Sequence, residues 1–296
     1  MNQQQDIEST VSKAATLIEA LPYLQSFRGS TFLIKMGGSA MDNPELVRKV
    51  MRDIVFLEVA GINPVVVHGG GKAISAAMKE SGLEAKFIGG FRVTTPEAID
   101  IVEKTLTHIL NPGLVDMLHD FGGRAAGIPG HTVFTGQRIQ GIDENGQPQD
   151  IGRVGEVTDA KLESIRAITE REMVPVISPL AREKGSDKLL NINADLAAAA
   201  LAKRLKVSKL IYLSDVPGVM EDPADENTII STITPDLAHQ LINRGVISGG
   251  MLPKINSALD ALDHGVEKVH FIDGRQPHSL LLEIFTKSGI GTQIKQ

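Results

Sequence analysis

The stretch Thr31-Phe-Leu-Ile-Lys-Met-Gly-Gly-Ser39 decides how this chain is read. Phe32, Leu33 and Ile34 form a short apolar run of the kind found in strands buried on both faces. Lys35 closes the run, at a place where a cation is costly to bury unless an anion meets it. Gly37, Gly38 and Ser39 follow as a turn whose N–H groups can approach a phosphate with no Cβ in the way. Asn43 then reads as an N-cap, Pro44 as the first helical residue and Glu45 as a first-turn acid, so a helix begins. Strand, lysine, glycine turn and helix together describe an anion site at the carboxyl end of a parallel strand. By itself the stretch is equally an ordinary βα turn with a snorkelling lysine.

Pro64-Val-Val-Val-His-Gly-Gly-Gly-Lys72 repeats the pattern: a β-branched strand, three glycines, then a helix. It is not a Walker A loop, which would need glycine at Val66 and Ser or Thr at Ala73. Upstream, residues 1–8 are polar and expected to fray. Helical spacing runs from Ser9 or Thr10 to Ala20, and Pro22 is expected to break or kink that helix. Downstream, Thr95 and Pro96 open a helix to about Leu110, with another after Pro112. Strands are expected at 124–128 and 132–135, a hairpin turn at Asn145-Gly146, and a helix capped by Asp159 running to about Thr169. Further strands read at 174–177, 209–213, 269–272 and 292–294, and helices at 196–205, 235–244, 252–263 and 279–285. This alternation predicts an α/β fold built on an open, mainly parallel sheet.

Composition narrows the function classes. The chain has 296 residues, 42% of them hydrophobic and 22% charged, with a formal net charge of −6. That balance suits a soluble globular protein and argues against a general nucleic-acid surface. There is no cysteine, which excludes disulfides, thiol catalysis and thiolate zinc sites. The N-terminus lacks the basic start and apolar run of a signal peptide, and the longest purely apolar stretch, residues 196–202, is too short for a bilayer. A cytoplasmic protein with no membrane partner is the expectation.

Five motifs stand in order: Lys35-x-Gly-Gly-Ser39, His68-Gly-Gly-Gly71, Asn191-x-Asn-x-Asp195, Ser214-Asp-Val-x-Gly218 and Gly249-Gly-Met-x-x-Lys254. The set resembles the amino acid kinase family. With Gly90-Phe-Arg-Val-Thr94 it is most similar to the acetylglutamate kinase branch, which phosphorylates N-acetyl-L-glutamate with ATP in arginine biosynthesis. The resemblance runs from about Thr31 to the C-terminus. It implies a three-layer αβα sandwich with two lobes: an acetylglutamate-binding and dimerisation lobe over residues 29–207 and a nucleotide-binding lobe over 208–296. It implies Lys35 and Lys254 as transition-state cations, with Asp195 holding both. Gly70, Gly71, Arg92 and Asn191 would bind the acetylated substrate. Gly37, Gly38, Ser214, Asp215, Gly218 and Met251 would hold the nucleotide, with Mg²⁺ carried by the ATP phosphates rather than by a protein metal site. Asn193 and His68 read as structural. Such a site needs no general base, because a γ-carboxylate is already ionised at neutral pH.

Residues 1–28, ahead of the first strand, resemble the N-terminal helical extension of arginine-inhibited members, where such helices interlace dimers into a hexamer. The C-terminal stretch resembles their arginine-binding segment, which would place Tyr23, Lys209, His278, Glu283, Gly289 and Gly291 at an allosteric site. Some members of that type also bind a P-II-type signalling protein. Two alternatives stay open: another enzyme of the family, of the carbamate kinase or glutamate 5-kinase type, and a non-catalytic arginine-sensing domain.

Overall fold

The computed structural model describes residues 3–222 and 224–296. In chain order the strands are β1 (Thr31–Met36), β2 (Asn63–His68), β3 (Phe87–Ile88), β4 (Phe91–Arg92), β5 (Ala125–Ile128), β6 (Phe134–Ile142), β7 (Pro148–Ala160), β8 (Val174–Ile177), β9 (Leu180–Glu183), β10 (Leu189–Ile192), β11 (Lys209–Ser214), β12 (Thr232–Ile233), β13 (Lys268–Asp273) and β14 (Thr292–Lys295). The α-helices are α1 (Gln3–Phe27), α2 (Pro44–Val59), α3 (Gly71–Glu80), α4 (Pro96–Glu103), α5 (Asn111–Asp120), α6 (Gly130–Val133), α7 (Glu163–Thr169), α8 (Ala194–Leu205), α9 (Pro235–Asn243), α10 (Met251–Asp263) and α11 (Ser279–Phe285).

The apolar run Phe32–Ile34 forms the centre of an eight-stranded sheet ordered β12-β14-β13-β11-β1-β2-β8-β5. Its pairings are parallel except β13 with β14. Alternating side chains feed two cores. Leu33, Val65, Val67 and Leu210 pack under α8, α9 and α10, whereas Phe32, Ile34, Val66 and Ile211 pack under α2, α5 and α11. Three layers result, as the alternation of strands and helices predicted. β1 leads outward to β2 on one side, and β11 leads to β13 on the other. The order therefore reverses at β1, and the cleft outside its carboxyl end is where an open α/β sheet takes a ligand.

Several local expectations need correction. α1 runs unbroken through Pro22 and begins at Gln3. An interior proline costs roughly 3 kcal/mol, but packing holds the last turns in place: Phe27 lies 5.4 Å from Phe32 and Tyr23 lies edge-on to Phe285 at 6.5 Å. Residues 104–110 are a π-helix fusing α4 to α5. From that rod Thr107 bonds Ser178 and Asn111 bonds Val176 O. Residues 130–133 are a helical turn and β6 starts only at Phe134; the turn begins at Gly130, where a Cβ would run into Ser178 O and Leu180. Asp159 caps no helix; it sits in β7 opposite Thr135 and meets Arg204, and α7 starts at Glu163. Two strands, β9 and β10, were not expected. With β6 and β7 they close a small barrel beside the main sheet.

Candidate active site

At the end of β1 the Lys35 side chain turns toward the α8 layer. Its Nζ lies 2.7 Å from Asp195 Oδ1. Asp195 stands in the first turn of α8, started by Asn193, whose Oδ1 accepts the N–H groups of Asp195 and Leu196 at 2.8 and 3.4 Å. From the other side Lys254, in the first turn of α10, brings Nζ to 3.6 Å from Asp195 Oδ2. Burial pushes the Asp195 carboxyl up, but the two ammonium groups outweigh it and hold it below the usual carboxylate range. The result is an ionised carboxylate with one lysine on each oxygen. A Cβ at Gly37 would stand 2.1 Å from Lys35 Nζ, so any larger residue there would displace that ammonium group.

The second glycine turn adjoins the first. Gly69 N–H donates to Met36 O at 2.7 Å, so residues 37–38 and 69–71 lie side by side. A Cβ on Gly70 would press within 2.5 Å of Leu110. His68 is fully buried, with Nδ1 2.9 Å from Gly69 O and Nε2 3.2 Å from Asn111 Nδ2. Desolvation depresses its pKa to about 4, so it is neutral and acts as a strut.

Arg92 lies on β4, only 7% exposed. Its Nη2 donates to Gly71 O at 2.7 Å and Ser75 Oγ at 2.9 Å, and its guanidinium stacks 4.7 Å over Phe87. Its partners are neutral: no carboxylate pairs with it among the described residues. Asn191, on β10, donates to Thr94 Oγ1 at 3.1 Å, and Thr94 in turn donates to Arg92 O. Gly70, Gly71, Arg92 and Asn191 line one cleft of about 170 Å³ together with Phe87. Reasoning from sequence missed Phe87, Ser75 and Thr94. Phe87 pairs directly with Arg92 in the β3–β4 register, which no sequence spacing announces, whereas Ser75 follows Gly71 by four residues on the same helical face.

The nucleotide candidates are more dispersed. Gly38 adopts φ +56° and faces Asp215, which lies just beyond β11. Ser214 is buried, and its hydroxyl is engaged with Val216. Gly218 is pressed against Thr292, with room for no Cβ. Met251 opens α10 three residues before Lys254.

The allosteric candidates gather at the far side of the sheet, where β11, β13 and α11 meet α1. Glu283 Oε2 accepts the N–H groups of Ile290 and Gly291, and Oε1 lies 2.7 Å from His270 Nδ1. Burial raises the Glu283 carboxyl, but His270 and these N–H groups outweigh it and hold it low. Lys209 Nζ sits 3.3 Å from His270 Nε2 and 5.0 Å over Phe27, with its pKa lowered by burial to about 8. Gly289 adopts φ +62° beside Glu283. His278 points elsewhere: its Nδ1 is 2.6 Å from Asp53 Oδ1 on α2.

Residues 30–273 match the Amino acid kinase family. The chain belongs to the amino acid kinase family. Within that family it is 61% identical over 288 residues to an acetylglutamate kinase of Akkermansia muciniphila, covering 97% of each chain. It is 42% identical to an acetylglutamate kinase of Methanothrix thermoacetophila, covering 96% of this chain and 99% of that one. Similarity of this extent to kinases identifies the chain as a kinase, a transferase that uses ATP. Among solved structures, an N-acetylglutamate synthase from Neisseria gonorrhoeae, complexed with coenzyme A and N-acetyl-glutamate, superimposes with a TM-score of 0.82 at 25% identity. The match covers 96% of this chain but 63% of the synthase, so the chain spans under two thirds of that protein. A Giardia lamblia carbamate kinase bound to AMP-PNP shares the amino acid kinase fold, with a TM-score of 0.64 at 14% identity, 90% of this chain and 98% of that one. Among the described residues no helix is long and apolar enough to cross a membrane.

Proposed function

We propose that the enzyme phosphorylates the γ-carboxylate of N-acetyl-L-glutamate with ATP, giving N-acetylglutamyl 5-phosphate and ADP. The observation that carries the reading is Arg92: a buried guanidinium whose hydrogen-bond partners are all neutral. A cation buried this deeply calls for an anion, and a planar fork suits a carboxylate. The substrate's α-carboxylate fits that place, with Gly70, Gly71 and Asn191 around it. Its γ-carboxylate would then extend toward Lys35 and Lys254.

Phosphoryl transfer needs in-line positioning and neutralisation of charge on the transferred group. Lys35 and Lys254, held apart by Asp195, provide two cations at a fixed spacing. Each contributes on the order of 3–4 kcal/mol to the transition state. Gly37 and Gly38 leave backbone N–H groups open to phosphate oxygens, and Mg²⁺ would arrive on the ATP phosphates. Residues 29–207 form the acetylglutamate lobe in this reading, and residues 208–296 the nucleotide lobe.

Regulation by arginine belongs to the same proposal. Glu283, Lys209 and Tyr23 lie near the junction of α1 with the sheet, and α1 leaves Leu17 and Ile18 each 67% exposed. Such a stripe supports packing of α1 on another copy, as a hexamer of interlaced dimers requires. A Neisseria gonorrhoeae synthase structure complexed with L-arginine, 25% identical over 95% of this chain with a TM-score of 0.78, lends weight to arginine as ligand. A P-II-type partner is the outermost element of the proposal. The deciding experiment compares N-acetylglutamate, glutamate, aspartate and carbamate as acceptors with ATP and Mg²⁺. N-acetylglutamate should be preferred by a wide margin in kcat/KM; equal use of glutamate or carbamate would overturn the assignment.

A further inference from the structure

Lys72 is the second residue of α3, at the positive end of the helix dipole, where a cation is unfavourable. α3 has no acidic residue in its first turn, and its N-cap, Gly70, supplies no side-chain bond. Arg92 adds a second cation against the same turn, through Gly71 O and Ser75 Oγ. The compensating charge comes from outside the helix. Asp42, in the loop after β1, meets Lys72 with Oδ2 2.8 Å from Nζ. Asp42, Gly71, Lys72 and Arg92 all line one open cleft of about 400 Å³ that reaches across to Gly38 and Asp215.

The two partners of this pair are not alike. The Lys72 side chain is 78% exposed and Asp42 only 21%. An exposed ion pair contributes little as a strut, so Lys72 can leave Asp42 at small cost, whereas the Asp42 side chain is mostly buried. We propose that Lys72 is an anion-capturing residue of the acceptor site, and that Asp42 is its resident counter-ion, displaced when the acceptor's α-carboxylate arrives. The acceptor rather than the nucleotide is favoured because the buried cation without an anion, Arg92, reaches from β4 to bond Gly71 O and Ser75 Oγ at the start of the same helix. Lys72 then delivers the carboxylate to Arg92, and the positive end of α3 gains from the ligand the anion it otherwise borrows from Asp42. This inference rests on the reading of the site as one for an acidic amino-acid derivative.

A rigid strut and a capture device predict different signs. If the pair were a strut, Lys72→Met and Asp42→Asn would impair the enzyme alike. Capture predicts opposite effects on the acceptor. Lys72→Met should raise the KM for N-acetylglutamate on the order of fivefold, with a smaller change in kcat and in the KM for ATP. It should also flatten the fall of kcat/KM with ionic strength. Asp42→Asn should lower the acceptor KM, and the double variant should behave as Lys72→Met, since without Lys72 the counter-ion has nothing to compete for. Circular dichroism and thermal unfolding of all three variants confirm that they are folded before kinetics are compared. Same-direction shifts in the two single variants, or a shift confined to ATP, would overturn the capture role while leaving the acceptor assignment intact. Absence of N-acetylglutamate turnover by the unaltered enzyme would overturn both.

Discussion

Lys35 Nζ lies 2.7 Å from Asp195 Oδ1, and the second oxygen of the same carboxylate faces Lys254. One anion therefore sets the separation of two lysine ammonium groups that come from opposite ends of the chain. Replacing Lys254 by Ala should lower kcat about 10²–10³-fold with smaller changes in either KM, because the interaction strengthens as charge develops. Steady-state kinetics with both substrates is the check. A variant turning over at the full rate would remove Lys254 from the reaction.

Arg92→Lys keeps the charge and discards the fork. Lysine cannot bond Gly71 O and Ser75 Oγ as the guanidinium does and still present a bidentate face to a carboxylate. The KM for acetylglutamate should rise markedly, roughly tenfold or more, while that for ATP stays nearly constant. If ATP binding weakens and the acceptor KM holds, the substrate pocket has been assigned to the wrong residues.

Asp53, 1% exposed on α2, carries a pKa raised to about 6, because burial outweighs its bond from His278 and the charge of Arg52. Its ordinary value is 3.8, so the folded state holds this proton more tightly than the unfolded chain does. The stabilising contribution is complete below about pH 3.8 and is lost as pH rises through about 6. A shift of this size corresponds to about 3 kcal/mol. Asp53→Asn should thus flatten stability between these two pH values relative to the unaltered protein. Denaturant unfolding at a series of pH values measures it; parallel curves for the two proteins would dismiss the buried carboxyl as a pH-sensitive group.

Removing residues 1–26 takes away α1 up to Phe27, including Tyr23 and the exposed Leu17 and Ile18. The truncated enzyme should be an active dimer, and arginine should no longer raise its KM for acetylglutamate. An effector must distinguish two states to act in this way, and in the proposed hexamer α1 would link its site to other copies. Size-exclusion chromatography with light scattering, run beside the kinase assay, reads both properties. A full-length dimer still inhibited by arginine would discard the interlaced-helix account.

What could be read from residues alone was local. Asn43 with Pro44 and Thr95 with Pro96 each announced a helix start, and each caps one, with its side chain on the N–H groups that follow; Asn193 read only as structural, and it caps α8. Lys35, Asp195 and Lys254 were placed together by family resemblance, since no periodicity links them, and the sheet does bring them together. Pairing between distant segments was not legible. β9 and β10 are four-residue strands whose partners lie in β6 and β7, so their signal resides in a barrel that forms only when all four meet. The same pairing keeps Asp159 in a strand, although an aspartate ahead of a helical pattern reads as a cap. Arg92 could be named, but its charge environment could not; that depended on Gly71, Ser75 and Phe87 folding around it.

The central position of β1 has a consequence for how the chain comes to be folded. Phe32 pairs with Asn63's neighbour Pro64 on one side and with Lys209 on the other. A ribosome adding roughly 5–20 residues per second leaves β1 waiting on the order of ten seconds or more for its second partner. During that interval a strand buried over Phe32–Met36 in the finished fold has one open edge, the condition in which strands pair with the wrong chain. Long-range closure of this sort is slow, so a nascent chain halted before β11 is a natural client for a chaperone. The strand that carries Lys35 is thus both the first to emerge and among the last to be enclosed.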